Sequence, residues 1–417
     1  MKKIYMGIGV IIAAIGVFAA GCLGAGGADR AYGTASGVEA VRQVIGAEAG
    51  ERTVMWQSRL KETAPVLEYR EKDGTIKESR AEEKELTADG KTIYIYTGQM
   101  KGLEEGKTYE YRVGYEDRRT DWKEMAAVNQ AGGFTALIFP DSQSSDYSTW
   151  RNIVKTAQKT QPNAEFFINM GDLVDNGYDM NQWNEWFDAV TPMIERIPAV
   201  PVMGNHETYT LDWKVAMPEP YLHLFSLPAN GSLQRQNQYY SFDYKNLHVT
   251  VLNTQIEEME AFQPGLMEEQ LAWLRQDLAS AKTKWKIVLM HKDILRYWQT
   301  RHAPNTEIVF QEFARQVMPI FDEYQVDAVL TAHLHTYRRR GPIHNFQPGT
   351  EGPVYILTGV AGNVRYPGLW QENPLDVYVA PQPESDNYMD MEVTEDTMTF
   401  SSYFEDGRLM DRVVITK

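Results

Sequence analysis

Between Phe134 and Asn363 the chain alternates short apolar runs with amphipathic stretches, and five of the runs end on side chains that bind metals or move protons. The runs read "FTALIFPDSQ", "FFINMGD", "VPVMGNHE", "KIVLMH" and "AVLTAHLH". Runs this short and this apolar suit buried strands, and they alternate with helices. The pattern predicts a layered α/β domain with helices over 148–160, 182–196, 268–281 and 306–324. Ligands of open α/β sheets gather beyond the carboxyl ends of the strands, so the five polar endings are expected to converge. One such ending is an ordinary turn. Five that supply Asp141, Asp172, Asn205, His206, His291, His333 and His335 call for chemistry.

Carboxylate, amide oxygen and imidazole together suit Mn, Fe or Zn. Cys22 is the only cysteine, which argues against a soft thiolate site and leaves no partner for an internal disulfide. His333 and His335 stand two apart; if the strand stays extended, both point to one face and one can serve each of two ions. Asp172 has two oxygens with which to bridge them.

Gly171-Asp172, Gly204-Asn205-His206-Glu207, His291 and Ala332-His333-Leu334-His335 resemble, in order and spacing, the motifs of the calcineurin-like metallophosphoesterases. The resemblance runs from Phe134 to the C-terminus. "NQYYSFDY" (237–244) and "HLHTYRR" (333–339) are similar to the purple acid phosphatase branch, as is the β-rich segment in front. It implies a four-layer αββα sandwich. Asp141, Asp172 and His335 match ligands of a first metal, and Asp172, Asn205, His291 and His333 those of a second. His206 matches the histidine that protonates the leaving oxygen while a hydroxide shared by the ions attacks phosphorus.

Two positions depart from that branch. Asp175 stands where it has a tyrosine ligand, so no phenolate-to-iron colour is expected. Gln143 stands where other branches have a histidine, and offers at best a weak amide ligand. "GDLVDNG" also resembles the phosphoprotein phosphatase branch, whose aspartate hydrogen-bonds the histidine; that implies Asp175 behind His206, with Asn176 in place of a phosphate-clamping arginine. The implied activity is hydrolysis of small phosphomonoesters. The alternatives are a phosphodiesterase acting on nucleotides or lipid headgroups, and a non-catalytic surface protein.

Residues 37–128 show period-two runs such as "TIYIYTGQM" and "KTYEYRVGYE" between Gly-rich or charged turns, the pattern of a small antiparallel sandwich. "GLEEGKTYEYRVG" resembles a fibronectin type III turn and strand. Ahead of it, two lysines, an apolar run over 4–20 and Ala19-Ala20-Gly21-Cys22 read as an export signal similar to that of bacterial lipoproteins. Cys22 then carries the lipid, 23–36 is a tether, and the body lies outside the cytoplasm on a bacterial membrane; an uncleaved anchor is the alternative. The formal charge of −16 argues against a nucleic-acid scaffold as partner.

His302, Tyr337, Arg339 and Asn363 follow the endings closely enough to line a substrate pocket, although each also fits an ordinary loop or surface. His223, His248 and His344 are read as structural or surface residues, and Trp150 and Trp273 as core.

Overall fold

The computed structural model describes residues 37–48, 50–116, 118–126, 132–295, 312–365 and 374–417. Cys22, the apolar run before it, the tether and His302 lie outside them.

Two sheets face each other. In the first, Phe134–Phe139, Phe166–Asn169 and Ala199–Pro201 are parallel neighbours, and the C-terminal strands Asn387–Val393, Thr397–Phe404 and Leu409–Thr416 extend the sheet antiparallel. In the second, Leu247–Leu252, Trp285–Lys292, Ala328–Ala332 and Val354–Thr358 run parallel, with Tyr337–His344 antiparallel beside the last.

The period-two rule separates the faces of this second sheet. Val249, Val251, Ile287, Leu289, Leu330 and Ile356 pack into the core shared with the first sheet. Their sequence neighbours Leu252, Val288, Met290, Val329 and Tyr355 face the opposite way, onto the helices Leu266–Ser280 and Glu312–Glu323. The helices Ser148–Thr160 and Met180–Ile194 cover the outer face of the first sheet, completing four layers.

The helices follow local chemistry. Trp150, Ile153, Val154 and Ala157 form the buried stripe of Ser148–Thr160, spaced as one helix face. Met180–Ile194 begins two residues before the expected start because Asp179 caps it, accepting from the N–H groups of Asn181 and Gln182 at 2.8 and 3.3 Å. Trp150 is buried as expected; Trp273 is half-buried, its ring tilted against Tyr239.

The N-terminal segment is all β, two sheets enclosing one core as expected, and one of these sheets runs on into the first sheet. Glu39–Ile45 pairs in parallel with Ala199–Pro201, so the strands Glu39–Ile45, Arg52–Ser58, Lys91–Met100 and Glu82–Ala88 continue the first sheet. Only the sheet built on Pro65–Glu71 and Tyr109–Tyr115 is separate. Side chains secure the join: Arg42 donates to the carbonyl of Leu224 at 2.8 Å, and Gln43 and Tyr111 donate to that of Glu195 at 2.7 and 2.8 Å.

Candidate metal centre

The carboxyl ends of strands from both sheets meet at one point. Asp172, His291 and His333 form one group of ligand atoms, and Asp141, Asp172 and His335 a second; within each, the atoms lie within 4.8 Å of one another. Asp172 belongs to both. Asn205 joins them, its Oδ1 3.3 Å from His291 Nε2.

The imidazoles are set in a common way. His291 Nδ1 lies 2.9 Å from the carbonyl of Met170, His335 Nδ1 2.9 Å from that of Val364, and His206 Nδ1 2.6 Å from that of Asp175. A carbonyl only accepts, so each Nδ1 carries the hydrogen and each Nε2 is the nitrogen left to act. For His291 and His335 that nitrogen turns to the carboxylates: His291 Nε2 is 3.1 Å from Asp172 Oδ2, and His335 Nε2 is 3.6 Å from Asp141 Oδ1. Tautomers fixed from behind by a carbonyl are what metal-binding histidines require.

Backbone conformation does much of the aiming. The strand before the last motif stops at Ala332, and His333 and His335 both have positive φ, 75° and 50°. The expectation of an extended strand presenting both rings on one face is therefore wrong. A left-handed turn sends one ring to each ligand group instead, while the His333 N–H donates to both oxygens of Asp141 at 3.1 Å. Asp172 is also left-handed, at φ 48°. Conformations this sparsely populated by non-glycine residues persist only where the surroundings impose them. Two glycines make the close approach possible. A Cβ on Gly171 would stand 2.5 Å from His291 Nδ1, and one on Gly204 2.2 Å from Asp172 Oδ1.

The charges are what a cation site needs. Burial pushes the Asp141 carboxyl well above its usual range, with Asp172 adding to the push. Burial also acts upward on Asp172, but His291, His206 and His333 around it win and hold it well below. Burial lowers His291, yet Asp172 and Asp141 raise it to about 9. Burial depresses His335 to about 4. Two buried acidic groups crowded together, which draw protons onto Asp141 and His291, form a donor set that metal ions satisfy better than protons do. The residues fit a pair of metal ions.

Against known proteins, residues 134–337 match the family described as calcineurin-like phosphoesterase, and 38–128 match the purple acid phosphatase N-terminal domain. The fold is that of a calcineurin-like metallophosphoesterase. The structure of the purple acid phosphatase PPD1 from yellow lupin (Lupinus luteus) superposes with a TM-score of 0.77 over 91% of this chain and 74% of that one, at 18% identity. Purple acid phosphatase 23 of Arabidopsis thaliana is 31% identical over 189 residues, 44% of this chain and 38% of that protein. Acid phosphatase type 7 of Mus musculus is 24% identical over 362 residues, 78% of this chain and 77% of that protein. The chain spans about half or less of the first plant relatives it matches.

The residues around the candidate metal centre divide sharply. Asp175 does stand behind His206, but its backbone carbonyl takes the hydrogen bond and its carboxylate lies 3.6 Å from Nδ1. Gln143 is buried with its amide nitrogen 3.5 Å from Asp175 Oδ1.

Of the expected pocket residues, the four that are described, Asn176, Tyr337, Arg339 and Asn363, hydrogen-bond within the fold. Asn176 spends its amide inside the fold, donating to the Thr210 carbonyl at 2.5 Å and accepting from the Tyr178 N–H at 3.1 Å. Tyr337 is buried and donates to Asp411 at 2.9 Å, while Arg339 forms a two-pronged pair with that carboxylate at 2.7 and 3.1 Å. Asn363 is tied to Ser145 and Asp146, bracing the loop after Asp141.

Sequence reasoning assigned no role to Glu207 or Tyr209. Glu207 is buried and accepts from the N–H groups of Asp172, Leu173 and Gly204 at 3.0, 2.8 and 2.7 Å. Tyr209 Oη accepts from Asn205 Nδ2 at 3.4 Å, which leaves the amide oxygen turned to the metal ligands. Their position beside the Asn205-His206 motif was the available signal.

Proposed function

We propose that this protein is a metal-dependent phosphatase that hydrolyses small phosphomonoesters. The observation that carries the reading is that Asp172 is shared between two ligand groups, with His206 seated against it. Asp141, Asp172 and His335 would hold one ion and Asp172, Asn205, His291 and His333 the other. Bound there, two Fe, Mn or Zn ions would supply Lewis-acid charge for the phosphate and lower the pKa of the attacking water.

The chain's own groups supply the rest. The His206 backbone N–H donates to Asp172 Oδ1 at 2.9 Å, which fixes the base of the ring relative to the ligands. The Asp175 carbonyl takes the Nδ1 hydrogen, so the proton handed to the departing oxygen is the second proton of the imidazolium, carried on Nε2, and the ring is left neutral. Glu207 and Tyr209 keep Asp172 and Asn205 in place. Lipid attachment at Cys22 and a position outside the cytoplasm belong to the same proposal, supported by the charged and apolar composition of residues 1–22.

The test loads the full chain in turn with Mn, Fe or Zn and compares an aryl phosphomonoester with its matching diester. Faster turnover of the monoester is expected. Preference for the diester would make the protein a phosphodiesterase, and no turnover of either with metal bound would overturn the catalytic reading.

A further inference from the structure

Beyond His206 the chain forms a tight hairpin, and the hairpin presents an indole to the site. Thr210 N–H donates to the Lys214 carbonyl at 2.8 Å, Trp213 N–H to that of Thr210 at 2.8 Å, and Ala216 N–H to that of Thr208 at 2.8 Å. Tyr209 and Val215 close it as a bridge. Within it Trp213 adopts φ 60°, and its side chain stays in water, 56% exposed. Leu211 and Val215 of the same hairpin are 52% and 38% exposed.

A bulky residue with positive φ is a genuine outlier, and an indole left in water forgoes its burial. Both costs fall on one residue beside the proton donor. The rings cluster on His206. Trp213 stands 6.0 Å from the His206 ring, nearly perpendicular at 88°. Tyr209 meets the same ring at 5.3 Å and 81°, and the two aromatic rings lie 5.9 Å apart.

We propose that Trp213, flanked by Tyr209, is a specificity-determining wall for the leaving group, and that the preferred substrates are phosphate esters whose departing alcohol carries a planar aromatic ring. The inference rests on the phosphatase reading above and names its substrate class. His206 serves the departing oxygen, so the group attached to that oxygen lies on the His206 side of the centre. Tyr209 and Trp213 are the rings that stand against His206 there. A planar ring stacks on an indole with a geometric preference that a saturated ring of similar size lacks. Because the contact is remote from the reacting atoms, it acts on ground state and transition state alike and appears in KM rather than kcat.

The experiment uses the full chain with metals bound and compares 2-phenylethyl phosphate with 2-cyclohexylethyl phosphate. The two alcohols have similar acidity, so the chemical step is matched. The expected result is a KM about 3- to 10-fold lower for the phenyl ester at similar kcat. Trp213→Ala and Trp213→Leu should abolish the difference and Trp213→Phe should keep most of it. Inhibition by inorganic phosphate should not change in any of them, which reports an intact centre. Adenosine 5′-monophosphate against ribose 5-phosphate separates the sources of the ring. A ratio that also collapses in Trp213→Ala extends the wall to nucleobases, whereas an unaffected ratio confines it to rings close to the ester oxygen. Equal KM for the phenyl and cyclohexyl esters, or a preference that survives Trp213→Ala, overturns the proposal while leaving the phosphatase reading intact. Failure to hydrolyse any of the four esters with metals bound removes both.

Discussion

The carboxylate of Glu207 holds Asp172 from behind: Oε2 accepts from the Asp172 N–H at 3.0 Å and from the Gly204 N–H at 2.7 Å, so one side chain staples the two turns that carry the centre. Oε1 takes the Leu173 N–H at 2.8 Å. Burial and the neighbouring Asp172 push this carboxyl up to about 7. Glu207→Ala leaves these buried N–H groups without their acceptor and is expected to cost about 3 kcal/mol or more of stability, with reduced metal content. Glu207→Gln keeps an acceptor oxygen and should lose less. Urea unfolding of the metal-free protein measures both, and equal costs for Ala and Gln would contradict the staple.

Because Asp172 is common to both ligand groups and His333 belongs to one, their variants should differ in kind. Asp172→Ala is expected to abolish tight binding of both ions, whereas His333→Ala should lower bound metal from about two ions per chain to about one. Metal analysis after dialysis reads this without an activity assay. The same stoichiometry in both variants would argue against a shared ligand.

Much of the centre was legible before the fold was known, because ligand chemistry concentrates at strand ends and apolar runs mark where strands stop. Asp141, Asp172, Asn205, His206, His291, His333 and His335 all come together. What was hidden depends on partners far away in sequence. Tyr337 and Arg339 look available until Asp411, more than seventy residues later, claims both. The two late histidines looked extended because alternation is the default after a strand, and only packing against Asp141 reveals the left-handed turn. Nor could local periodicity show that Val44 pairs with Ala199, which makes one sheet of what reads as two domains. Sheet order is non-local information.

His206 and Asp175 should also separate. His206→Ala is expected to slow hydrolysis of an alkyl phosphate by about 10²–10⁴, and of a nitrophenyl phosphate by much less, because a good leaving group departs without a proton. Asp175→Asn should have a smaller effect on both, since the backbone carbonyl that holds Nδ1 survives the substitution. Initial rates on the two esters decide the matter. Equal losses on both for His206→Ala would remove its acid role, and an Asp175→Asn loss as deep as that of His206→Ala would return the decisive contact to the carboxylate.

Away from the centre, His248 predicts how stability responds to pH. Its Nδ1 lies 2.6 Å from Asp243 Oδ1 and its Nε2 3.0 Å from Asp277 Oδ2, so both nitrogens donate and the ring is held as a cation. Burial alone would lower its pKa, but the two carboxylates win and raise it to about 9. A histidine raised above its unfolded value of about 6.5 contributes its full stability below that pH and loses it as pH rises through about 9. The Asp243 carboxylate is 55% exposed and partly screened, which brings the contribution to on the order of 2 kcal/mol. Unfolding free energies from pH 6.5 to 9.5 should therefore fall more steeply in the parent protein than in His248→Gln, whose amide does not titrate. Parallel curves would mean that His248 is not protonated in the folded state.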